Sequence, residues 1–97
     1  MIFSGAKVND AGQLVYGDGL GNSELSQRGE GDDAQSVLQL TILVGIHHHN
    51  LYWTATPTDK PVNCTVDVDS VNNLLTIVWD NPNRNFDTGW SILFARN

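Results

Sequence analysis

The sequence predicts an all-β protein, a small antiparallel β-sandwich or barrel with an extended glycine-rich N-terminal arm. Two observations carry this. First, apolar residues from position 36 onward recur at every second position in a series of short runs, each closed by turn-forming residues, and no stretch shows the 3.6-residue spacing of an amphipathic helix. Second, residues 1–33 hold seven of the nine glycines and six of the eleven acidic residues, with few large apolar side chains. The expected division is therefore an arm at 1–33 and a compact domain at 34–97.

The clearest strand runs from Ser36 to Ile46 (SVLQLTILVGI), where Leu38, Leu40, Ile42, Val44 and Ile46 share one face. Five branched apolar side chains on one face must be buried, and the mixed opposite face (Val37, Gln39, Thr41, Leu43) fits a central antiparallel strand. A second strand alternates Leu51, Trp53 and Ala55 with Tyr52, Thr54 and Thr56 and stops at Pro57, with Thr58, Asp59, Lys60 and Pro61 forming the turn. In the third, Val62, Cys64, Val66 and Val68 face one way while Asn63, Thr65, Asp67 and Asp69 face the other. Asn72 and Asn73 tolerate the left-handed backbone of a hairpin turn, so this strand pairs with the next, whose inward residues are Leu75, Ile77 and Trp79. The breaker-rich segment DNPNRNFDTG, Asp80 to Gly89, is a loop, after which Trp90, Ile92 and Phe94 alternate in a final strand.

Ahead of these, Lys7 to Tyr16 forms a small hairpin, because Asn9, Asp10, Ala11 and Gly12 supply turn chemistry between Val8 and the run Leu14, Val15, Tyr16. Gly17 to Asp33 has the composition of a flexible linker. Such a segment buries too little surface to offset its ordering entropy, so it is expected to take its shape from a partner protein. On this reading residues 34–97 fold without residues 1–33.

Composition bounds the function. Ninety-seven residues with 40% apolar content make one domain with a modest core. A formal charge of −6 repels nucleic-acid phosphates and argues against a DNA or RNA partner. No apolar run of about 18 residues is present to span a membrane, and the N-terminus MIFSGAKVND lacks the pattern of a signal peptide, so synthesis in the cytoplasm is expected. Cys64 is the single cysteine and is read as a buried, inert thiol on an alternating strand. The formal glycosylation sequon Asn63-Cys64-Thr65 is taken as accidental. Nothing pairs a nucleophile with a base, so an enzyme is not expected, and no cofactor is implied.

Three groups of residues are candidates for a site. His47 and His49 point the same way in extended chain and could share a metal, although an exposed polar strand end is the plainer reading. Asp67 and Asp69 share a face, and Asp18, Asn22 and Glu24 crowd a glycine-rich stretch, but their spacing does not match an EF-hand loop and a solvated acidic face explains them. The loop bearing Asn83, Arg84, Asn85 and Asp87, with Trp79, Phe86 and Trp90 nearby, has the parts of a sugar-binding surface, yet both tryptophans fit inward strand positions and core packing is the better account of them.

A glycine-rich polar arm joined to a small acidic β domain resembles, in architecture alone, the accessory virion proteins of tailed bacteriophages, in particular capsid decoration or cement proteins. The resemblance implies a non-enzymatic protein on the virion surface, a homo-oligomer with a trimer as one arrangement, bound to the major capsid protein or another virion protein. It implies attachment through the arm, by strand addition, with Ile2, Phe3, Val8, Leu14 and Tyr16 filling pockets of the partner. A receptor- or carbohydrate-binding fibre tip, and a head or tail connector component, are the alternatives.

Overall fold

A computed structural model describes residues 2–43, 51–58, 61–69, 71–82 and 88–96, the side chains of residues 2, 3, 51, 52 and 96 aside. The chain is all-β, two four-stranded antiparallel sheets packed face to face. Its strands are β1 (Ile2–Val8), β2 (Leu14–Gly17), β3 (Leu20–Arg28), β4 (Gln35–Ile42), β5 (Leu51–Pro57), β6 (Cys64–Asp69), β7 (Leu74–Asp80) and β8 (Trp90–Arg96). The first sheet has the order β2-β1-β8-β5 and the second β3-β4-β7-β6. Among the described residues the only helical piece is a single 3-10 turn, Gly31–Asp33, joining β3 to β4.

The central strands behave as their period-two patterns require. Leu38, Leu40 and Ile42 on β4 and Leu75, Ile77 and Trp79 on β7 meet Trp90, Ile92 and Phe94 on β8, every one of them buried. Trp79 and Trp90 lie with ring centroids 5.1 Å apart and planes tilted by 58°, an arrangement that suits the ring quadrupoles. Both tryptophans are thus core residues, as their positions on the strands implied. The expected pairing of β6 with β7 is present, from Cys64↔Trp79 to Asp69↔Leu74. Its turn places Asn73 at φ 55°.

The first third of the chain does not form a separate arm. β1 is an inner strand of the first sheet, paired with β8 from Ile2↔Arg96 to Val8↔Trp90 and with β2 on its other side. The stretch read as linker contains β3, which pairs with β4 from Leu20↔Ile42 to Arg28↔Gln35. The glycines that suggested flexibility serve geometry instead: Gly12, Gly19, Gly29 and Gly31 all have positive φ, and Gly12 and Gly29 sit in the turns after β1 and β3. A Cβ on Gly12 would come within 2.5 Å of the Leu25 Cβ. The anticipated hairpin at Lys7–Tyr16 is β1–β2, its turn tied by the Asn9 side chain, which accepts from the N–H of Ala11 at 3.1 Å and of Gln13 at 2.9 Å. The boundary between residues 33 and 34 is therefore a turn inside one sandwich, and ladder hydrogen bonds, which composition does not display, supply the ordering that was expected from a partner.

Candidate functional site

The two outer faces of the sandwich differ. On the second sheet the outward positions of β3, β4, β7 and β6 carry Arg28, Ser26 and Glu24, then Gln35, Val37, Gln39 and Thr41, then Asp80, Val78, Thr76 and Leu74, then Thr65, Asp67 and Asp69. Register fixes one cross-strand row in which Arg28 stands beside Gln35 and Gln35 beside Asp80. Arg28 Nε donates to Gln35 Oε1 at 2.8 Å, and Gln35 Nε2 donates to Asp80 Oδ1 at 3.3 Å. The amide thus bridges a cation and a carboxylate. This row borders a shallow open depression of about 270 Å³, also lined by Asn63, Thr65 and Val78. Donors, acceptors and one aliphatic patch in an open dip suit a polar ligand held by paired hydrogen bonds.

The first sheet is less polar. Of the large apolar side chains left exposed, Val15 and Tyr16 (β2), Trp53 (β5) and Leu93 (β8) belong to its strands, whereas Leu43, just past β4, and Val71, in the β6–β7 turn, lie at the end of the second sheet and not on its strands. Tyr16 (60% exposed) pairs with Lys7, and Leu93 (50% exposed) lies between Gly5 and Thr54, so both stand on the outward face. Trp53 has another cause of exposure. Its register partner Phe94 is a core residue, so Trp53 occupies an inward position at the margin where the two sheets part.

Several residues singled out in the sequence take other roles. Val8 is buried in the core and Leu14 is half-buried against it, so neither can fill a pocket on a partner; in an inner strand and its hairpin mate the inward side is already occupied. Tyr16 alone of that group has a described side chain free to reach outward, and for Ile2 and Phe3 only the backbone pairing to Arg96 and Ala95 is described. Asn83, Arg84, Asn85 and Asp87 lie outside the described residues, as do His47 and His49. Among the described residues no three His, Cys, Asp or Glu side chains gather as a metal site. Asp69 serves its own turn, accepting from the backbone N–H of Val71 and Asn72 and from the Asn72 amide at 2.7 Å, and so closes the β6–β7 hairpin. The Asn72 side-chain bond, followed by the Asn72 and Val71 backbone N–H groups, holds its carboxyl below the usual aspartate range despite some desolvation.

Cys64 is exposed, not buried. Its register partner Trp79 is in the core, but β6 is a sheet edge and nothing described closes over it. Partial desolvation raises its thiol pKa, so the exposed sulfur is mostly the less reactive thiol near neutral pH. Sequence reasoning missed the row of Arg28, Gln35 and Asp80 altogether. Its members are 45 residues apart at Gln35 and Asp80, and only strand register brings them together.

Fold and surface together define a small acidic β-sandwich domain with one polar and one partly apolar outer sheet. Compared with protein families, with curated proteins and with solved structures, the chain matches none.

Proposed function

We propose that this chain is a non-enzymatic structural module, a virion accessory protein of the capsid-decoration kind, which attaches to an assembly through the outer face of its first sheet. The observation that carries the attachment is the one-sidedness of the sandwich. Tyr16 and Leu93 stand out from the first sheet while the outward residues of the second are chiefly Ser, Thr, Gln, Asp and Glu. Exposed aromatic and aliphatic side chains on one face, ringed by polar ones, are how an interaction surface differs from ordinary surface. The acidic charge agrees with a place outside a shell rather than against packaged nucleic acid. In this form of the proposal a sheet face takes over the role expected of an N-terminal arm.

The test is sedimentation of the purified chain with assembled virions or shells from its own source. Wild-type protein is expected in the pellet, and the double variant Tyr16→Asp/Leu93→Asp in the supernatant with an unchanged circular dichroism spectrum. Wild-type protein that stays in the supernatant overturns the virion assignment.

A second reading has its own observation, the polar depression beside Arg28, Gln35 and Asp80. It suits a carbohydrate at a fibre tip. Glycan-array binding that is lost in Arg28→Ala and in Asp80→Ala favours this reading over the first.

A further inference from the structure

Four strands end the two sheets: β2 and β5 in the first, β3 and β6 in the second. A sheet edge presents unpaired N–H and C=O groups and recruits another strand unless shortness, charge or a bulge prevents it. Three of these edges carry such protection. β2 has four residues, β3 has an irregular register between Leu20 and Ser23 and bears Glu24 and Arg28, and β6 bears Asp67 and Asp69. Among the described residues, β5 has none of the three. Its seven residues, LYWTATP, pair with β8 without a register shift, and not one of them is charged in a chain of net charge −6. Its single proline is the last residue, where the strand ends.

The apolar layer also runs past this edge. Trp53 and Ala55 stand in register with Phe94 and Ile92, which are buried, yet Trp53 is 40% exposed. At the opposite margin the sandwich is shut, with Leu25 against Gly12 and Ser23 Oγ donating to the Gly12 carbonyl at 2.6 Å.

We infer that β5 is a homodimer interface, in which two copies of the chain pair their β5 strands antiparallel about a two-fold axis at Thr54, forming one continuous eight-stranded sheet. The sequence of β5 is what selects a second copy. With Thr54 opposite Thr54, Trp53 stands opposite Ala55. A large ring meets a small side chain, and no like charges are opposed. The numbers of each opposed pair have an even sum, so inward positions oppose inward ones and the core layers of the two sandwiches join. A slip by one residue would set Trp53 against an outward position. The interface is isologous and closes at two copies, leaving no free β5 edge. It does not rest on the virion proposal, since it concerns the backbone edge of the first sheet and not its outer face, although Thr54 stands beside Leu93 in the ladder.

The test is the solution mass of the full chain by light scattering across a dilution series. Wild type is expected at twice the 10.6 kDa chain mass when concentrated. Thr54→Lys opposes two ammonium groups at the axis and is expected to run as a monomer. Because that variant could fail for reasons of folding, a second measurement stands beside it. In a Cys64→Ser background, Thr54→Cys is expected to form an intermolecular disulfide on air oxidation, and Thr56→Cys, whose two copies lie several residues apart along the ladder, is not. A wild-type monomer at the highest concentration, a trimer, a dimer indifferent to Thr54→Lys, or equal cross-linking at 54 and 56 each overturns the inference. Shell binding that fails while the dimer persists overturns only the function proposed above.

Discussion

Val8 and Trp90 stand opposite each other at the end of the β1–β8 ladder, 1% and 0% exposed. The strand that begins the chain and the strand that ends it are therefore neighbours at the centre of one sheet, and each contributes side chains to the same core.

Removing residues 1–33 takes away β1, β2 and β3, and with them an inner strand and an edge of the first sheet and one edge of the second. The remaining chain is expected to lose its cooperative thermal transition. A sharp transition in residues 34–97 alone, followed by near-ultraviolet circular dichroism, would restore the idea of an independent domain.

Val8→Ala removes two methyl groups from a filled site. Transfer and cavity costs together predict a loss of about 2 kcal/mol. Urea denaturation checks this, and a change within about 0.5 kcal/mol, as for an exposed residue, would contradict the buried position.

Gly12→Ala meets two obstacles, a φ of +76° and the Leu25 side chain. The expected loss is about 1–3 kcal/mol from strained backbone, with the same denaturation as readout. Leu25→Ala in the same chain removes the Cγ and Cδ2 neighbours but keeps the Cβ 2.5 Å away and leaves the φ unchanged, so the double variant should recover little of the difference.

Asp69 gives the β6–β7 turn a pH dependence. Its folded pKa is depressed by the Asn72 and Val71 donors, so its stabilisation is fully present above the unfolded aspartate pKa and is lost as pH falls through the lower folded value. Asp69→Asn is expected to flatten stability against pH in the acid limb below the usual aspartate range and to leave neutral-pH behaviour of other carboxylates unchanged. A carboxyl titration by carbon NMR at the ordinary aspartate value would refute the capping role.

Cys64 is expected to react with a maleimide in the folded protein, more slowly than a free peptide thiol because desolvation raises its pKa. Protection until denaturant is added would mean that the edge of β6 is covered.

The β class, the inward sets Leu38/Leu40, Leu75/Ile77/Trp79 and Trp90/Ile92/Phe94, the β1–β2 and β6–β7 hairpins and the limits of β5 were legible in residue order, because alternation and turn chemistry act over a few neighbouring residues. The fate of residues 17–33 was not. β3 carries only Leu20 and Leu25 as apolar residues, since an edge strand has little to bury, and its hydrogen bonds come from β4. Likewise Cys64 and Trp53 follow inward patterns but sit at open margins. Sequence alone thus determined which residues alternate and where the chain turns. Only the tertiary structure decided which strands are neighbours, and hence that the N-terminal third is core scaffold and that Arg28, Gln35 and Asp80 form a row, because strand pairing joins backbone groups whose separation along the chain no local pattern records.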